Sequence, residues 1–119
     1  MLKFGTAPFL ECSSKGDKRF SAFYARLSAY NFASIEEIYQ AAKKFEGGFT
    51  GLSIMQAKGR KPINQDACKE LYSNLWDSYF HQEPQLLEVI KQFNGFSDIY
   101  GQVGHCCQAE EIYRIRFNG

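Results

Sequence analysis

The sequence has no long hydrophobic run: nowhere does it approach the roughly 18 consecutive apolar residues that a membrane-spanning helix needs. Its opening Met1-Leu2-Lys3-Phe4-Gly5 has no basic stretch leading into an apolar core, so no secretory signal is expected and no membrane partner either. A disulfide framework is also missing. The four cysteines, Cys12, Cys68, Cys106 and Cys107, lack the spacing of a secreted cysteine-rich domain, and adjacent Cys106 and Cys107 do not readily bridge each other. These absences point to a reduced, cytoplasmic setting. Excess charge of one sign is lacking as well. With 14 basic and 13 acidic residues the formal net charge is +1, which excludes the overall basic field of a non-specific nucleic-acid binder. There is no internal repeat, low-complexity tract or linker.

What is present is apolar and aromatic. Hydrophobic residues make up 45% and aromatics 16% of the 119 residues, which argues for one packed globule and against disorder. Eleven Phe and seven Tyr are enough for some rings to line a site while others fill the core. Two local basic clusters, Lys15-Lys18-Arg19 and Lys58-Arg60-Lys61, suit either a phosphate or a solvated loop.

Periodicity supplies most of the expected elements. Leu2 to Ser14 reads as an entry strand and loop, and Ser13 to Asp17 as a turn. Phe20 to Leu27 fits a strand or a short helix equally well. Ser34 with Glu37 three residues on forms a capping box, and Ile35, Ile38, Tyr39, Ala42 and Phe45 follow at helical spacing until Gly47-Gly48. Pro62 opens a second long helix near Asn64 or Gln65, with Cys68, Leu71, Tyr72, Leu75, Trp76, Tyr79 and Phe80 as its apolar stripe. A third helix starts at Pro84, buries Leu86, Leu87, Ile90 and Phe93, and stops at Gly95. Phe96 to Gly104 reads as a glycine-punctuated loop, and Ala109 to Arg116 as a final helix or strand. The expected fold is therefore a single, mainly α-helical domain over residues 1–119, with room for a few short strands.

Four segments carry a resemblance. Gly16-Asp17-Lys18-Arg19-Phe20-Ser21-Ala22-Phe23 is similar to a G-x-x-x-F-S-N-F opening. Ser34-Ile35-Glu36-Glu37-Ile38-Tyr39-Gln40-Ala41-Ala42-Lys43 looks like an S-x-E-x-x-Y-Q-A-x-K helix. Ala57-Lys58-Gly59-Arg60 and then Asp98-Ile99-Tyr100-Gly101-Gln102-Val103-Gly104 follow in the same order. In motifs and order the chain resembles the NADAR-type N-glycosidases, in particular small bacterial and bacteriophage members. It departs from them at Ala22, where the family has Asn, at Tyr100, where it has Trp, and at His105-Cys106-Cys107-Gln108, where it has a fuller glycine run.

The resemblance implies hydrolysis of an ADP-ribose- or ribosylamine-type N-glycosidic bond, for example in ADP-ribosylated guanine of a nucleic acid. Glu36 and Asp98 would be its catalytic carboxylates. On a helix Glu36, Gln40 and Lys43 share one face, near an N-terminus that favours anions. With Tyr39-Gln40-Ala41 laid on the family's Y-Q-A, the resemblance puts Glu36 on its glutamate and so gives Glu36 the catalytic assignment, with Glu37, whose spacing suits the capping box, held in reserve. An oxocarbenium-like ribose calls for a carboxylate to stabilise it and an acid for the leaving nitrogen. Phe20, Ser21, Phe23, Tyr100 and Gly101 would shape the substrate site, and Arg60 with Lys43 would hold phosphates. The ligand would be a nucleotide or an ADP-ribosylated nucleic acid. No cofactor or metal is expected: His105-Cys106-Cys107 with Cys12 or Cys68 lacks zinc-site spacing. A Cys–His nucleophile pair, Cys106 or Cys107 with His81 or His105, would need contacts that sequence neighbours seldom make. The alternative is a binding module of the same fold without turnover, such as a phage counter-defence protein. A helical interaction domain working as a homodimer also remains open.

Overall fold

A computed structural model describes residues 1–118. Five strands and five α-helices follow one another along the chain. They are β1 (Leu2–Gly5), β2 (Phe9–Glu11), β3 (Arg26–Leu27), β4 (Ala33–Ser34), α1 (Ile35–Ala42), α2 (Ile54–Ala57), α3 (Gln65–Gln82), α4 (Leu86–Ile90), β5 (Gly95–Asp98) and α5 (Gln108–Asn118). The expectation of a mainly α-helical domain is thus corrected to a mixed α/β one. A three-stranded sheet, ordered β1-β5-β2, lies at its centre, beside a separate β3-β4 ribbon.

The sheet is assembled from the two ends of the sequence. β5 runs antiparallel to β1, with Leu2 opposite Asp98 and Gly5 opposite Gly95, and parallel to β2, with Phe9 opposite Gly95 and Glu11 opposite Ser97. All four β5 residues are buried. The segment expected to be a loop from Phe96 onwards therefore begins inside the central strand. Its residues explain the misreading: Gly, Ser and Asp favour turns, and four residues are too few for an alternating pattern to register. Gly95 also has a steric duty. A Cβ there would meet the Phe9 ring and the Thr6 carbonyl oxygen, each at 2.5 Å, so only glycine lets the neighbouring strands close on β5.

The helices follow their capping and apolar signals. Ser34 Oγ accepts the Glu37 N–H at 3.1 Å, and Glu37 Oε1 accepts the Ser34 N–H at 3.1 Å, completing the capping box at the end of β4. α1 ends at Ala42, ahead of the Gly47-Gly48 pair, because Lys43 turns extended and the Asn64 amide takes over the free ends. Asn64 donates to the Ala42 carbonyl and accepts the Lys44 N–H. α3 buries Cys68, Tyr72, Leu75, Trp76, Tyr79 and Phe80, the stripe expected of it except for Leu71, which is half-buried, and packs against α1, β3 and α5. Trp76 is fully enclosed, edge-on to Tyr79 at 5.6 Å. α5, left open between helix and strand, is a helix laid across β1 and β5. Large side chains enclosed this completely contribute about 1.5–3 kcal/mol each.

Candidate functional site

A cleft of about 590 Å³ opens where the start of α1, the C-terminal end of β5 and the start of α5 converge. Its deepest part is polar. Glu36 and Gln40 from α1 are 9% and 3% exposed, and Asp98 from β5 is 5% exposed. Exposed Tyr24 and Tyr100, with Phe23, stand at the mouth, and Lys43, Lys58 and Lys15 add positive charge around it. Tyr39 and Tyr72 form an apolar flank, edge-on at 5.0 Å.

Glu36 owes its place to the capping box, which fixes the first turn of α1 between Ser34 and Glu37 and leaves Glu36 buried at the cleft. One helical turn later Gln40 donates from Nε2 to Glu36 Oε1 at 2.7 Å. That bond orients the amide and leaves Gln40 Oε1 buried with no partner among the described residues, an acceptor beside the cleft. Burial pushes the Glu36 carboxyl above its ordinary range. The Gln40 bond and the charges of Lys58 and Lys43 oppose that shift, and Asp98 adds a smaller push upward. A carboxyl so placed is suited to giving a proton.

Asp98 is held differently. Its Oδ1 accepts the Tyr100 N–H at 3.0 Å, and its Oδ2 accepts Gln108 Nε2 at 3.0 Å, with the Cys107 thiol at 3.7 Å from the same oxygen. Behind the strand, Glu11 ties β2 to β5, accepting the Ser97 hydroxyl at 2.8 Å and the Ile99 N–H at 3.2 Å. The loop after Asp98 passes close to β1: a Cβ on Gly101 would press on the Leu2 side chain at 3.0 Å.

Of the residues picked from sequence, Glu36, Asp98, Phe23, Gln40, Lys43, Tyr100 and Gly101 all line this cleft. Three do not. Phe20 is fully buried against Phe80, ring centres 6.2 Å apart, and belongs to the core. Ser21 is buried too, and its hydroxyl accepts the Phe23 N–H at 3.4 Å, shaping the turn behind the cleft. Arg60 lies over the Phe45 ring at 4.2 Å and donates to the Gln56 carbonyl, lining a smaller notch of about 30 Å³. Lys43 reaches the cleft, although its ammonium also donates to the carbonyls of Ala57 at 3.2 Å and Arg60 at 3.0 Å, and burial pulls it below its ordinary value.

Sequence reasoning missed Gln108, Tyr24, Tyr39 and Tyr72 as cleft residues. Tyr39 and Tyr72 sit on apolar stripes, where a core role is the default. Gln108 had no signal beyond lying in the segment that departs from the glycine run. All four cysteines are free thiols. Among the described residues no group of three or more His, Cys, Asp or Glu is placed to hold a metal ion, and no helix is long and apolar enough to cross a membrane. No protein-family model matches the chain, and no curated protein matches it significantly.

Proposed function

We propose that the chain is an N-glycosidase-type hydrolase acting on an ADP-ribose- or ribosylamine-type N-glycosidic bond. The observation that carries this reading is the sharing of one cleft by two buried carboxyl groups, Glu36 and Asp98, which lie 62 positions apart in sequence. The motif resemblance supplies the bond type. The cleft's volume of about 590 Å³ lies within the 300–1,000 Å³ or so of small-molecule sites.

Glu36, raised by burial, gives its proton to the leaving nitrogen. Asp98, fixed by two donors, faces the positive charge that develops on the ribose and orients the attacking water. Phe23, Tyr24 and Tyr100 supply surfaces on which a base stacks, while Lys43, Lys58 and Lys15 attract phosphates. Four free thiols suit a reducing compartment, and we place the protein in the cytoplasm.

The test is incubation with DNA carrying ADP-ribosylated guanine, followed by quantification of free ADP-ribose. Release by the wild type and its loss in Glu36→Gln, with fold retained, supports the hydrolase. One observation favours a second reading: each carboxyl already holds an amide partner, Gln40 or Gln108, as in a site built to bind. Tight ADP-ribose binding with no release from any ADP-ribosylated DNA or mononucleotide assigns the protein to that binding-only class.

A further inference from the structure

Gln108 joins the two sides of the cleft. It is the first residue of α5 and only 7% exposed. Its Nε2 donates to Asp98 Oδ2 at 3.0 Å, and its Oε1 accepts the Ala22 N–H at 2.6 Å. The Ala22 carbonyl in turn accepts the Glu36 N–H at 3.0 Å, in the first turn of α1. A continuous connection therefore runs from the Asp98 carboxylate through the planar Gln108 amide and the backbone of Ala22 to the backbone N–H of Glu36. Both ends of that amide are committed, so its orientation is fixed: turned over, it would set oxygen against carboxylate and NH₂ against N–H. Filling the space would need only an apolar side chain of similar size. Satisfying a carboxylate and a backbone N–H at once needs a donor and an acceptor in one group.

We propose that Gln108 is a positioning residue that sets the relation between Asp98 and Glu36. The proposal rests on the N-glycosidase reading above. Releasing the tie lets Asp98 drift relative to the Glu36 turn, and a misplacement of about 1 Å costs on the order of 10²-fold in rate.

Gln108→Glu separates this role from simple packing. The new carboxyl keeps an acceptor for the Ala22 N–H, but it can donate to Asp98 only while protonated. Two facing carboxyls share one proton, which raises the apparent pKa of the pair. The titratable and charged groups around them are Glu11, Cys12, Lys15 and Asp17 from β2 and the turn after it, Glu36 and Lys43 from α1 and its end, Lys58 at the end of α2, Cys107 before α5, and His105 in the cleft. Burial pushes the Cys107 thiol up to about 11 and that of Cys12 higher still. All these groups are common to both proteins, so the variant-to-wild-type ratio at each pH isolates the substitution.

The experiment follows ADP-ribose release from ADP-ribosylated DNA between pH 5.5 and pH 8 for wild type, Gln108→Glu and Gln108→Met. Expected is a kcat for Gln108→Glu about 10-fold below wild type at pH 8, recovering to within about 2-fold at pH 5.5, with KM little changed. Gln108→Met, which can neither donate nor accept in this way, stays low at every pH. A ratio that is flat across pH, whether near one or uniformly depressed, overturns the proposal. If the wild type releases no ADP-ribose, the hydrolase reading fails, and the pH dependence of the ADP-ribose affinity ratio decides the Gln108 question. A ratio that recovers at low pH upholds the positioning role for binding. A flat ratio, or no ADP-ribose binding by the wild type, overturns it.

Discussion

The two sides of the cleft are built by different kinds of contact. On the α1 side the bonds that orient the carboxyl are local: Ser34 and Glu37 cap each other and Gln40 holds Glu36 one turn on, while the distant contacts, from Glu36 N–H to Ala22 and from Lys43 to Ala57 and Arg60, go to backbone carbonyls. On the β5 side almost everything is distant. Asp98 is placed by strand pairing with residues 2–5 and 9–11, by Glu11 through Ser97 and Ile99, and by Gln108 from another helix. A local device works as soon as its few residues are helical, whereas the β5 device exists only when both ends of the chain have met. Losses on the first side should therefore show in chemistry or in small stability changes, and losses on the second in the whole fold.

The largest expected effect tests the chemical side of that contrast. Glu36→Gln keeps the Gln40 bond but removes the proton, and turnover should fall roughly 10³-fold, about 4 kcal/mol, in an ADP-ribose release assay. Next comes the sheet side. Phe96 is fully buried in β5, and Phe96→Ala should cost roughly 3–4 kcal/mol in urea unfolding, through lost burial and a cavity. A loss under about 1 kcal/mol would show that β5 is not the strand on which the fold depends. Ser34→Ala removes the local cap and should cost about 1 kcal/mol by the same measurement.

Titration sharpens the contrast between the sides. Glu36 is raised by burial, so its charged form is disfavoured in the fold, and the stability it contributes when protonated is lost as pH rises through its folded value. Glu36→Gln, neutral throughout, should melt above wild type at pH 7.5, with the gap closing below the ordinary value of 4.5. Glu11 has the opposite sign. Burial raises it, but bonds from Ser13, Ser97 and Ile99 outweigh that and hold it low. Its contribution is present above 4.5 and disappears as pH falls through the lowered value, so Glu11→Gln should melt below wild type at pH 7.5 and converge with it in acid. The smallest effect is expected at Arg60, which lies outside the cleft over Phe45: Arg60→Ala should change KM for ADP-ribosylated DNA by less than about 3-fold. A larger rise in KM would place Arg60 on the substrate after all.

The same division explains which parts were legible in the sequence. The capping box, the α3 stripe and the Glu36-Gln40 face lie within a turn or two of each other, where helical periodicity reports directly on geometry. β5 was read as a loop because its status depends on partners at the other end of the chain. The motif resemblance gives Phe20 and Phe23 the same role as stacking walls, yet Phe20, at the end of the 3-10 turn Lys18–Phe20, is buried in the core while Phe23 lines the cleft. Arg60 was assigned to a phosphate on charge and motif alone, and only the fold seats it on an aromatic ring instead. Gln108 could not have been singled out, since a glutamine has no preferred role until its neighbours are known.

By itself the sequence determined the capping box that starts α1, the aromatic core of α3, and the placing of Glu36 beside Gln40, because each follows from contacts between residues at most a few turns apart. Only the tertiary structure decided that the domain is α/β, that Asp98 ends a buried strand, and that Gln108 spans the gap between Asp98 and the Glu36 turn. Strand pairing and buried amide bonds are set by which distant segments meet, and local periodicity carries no record of that.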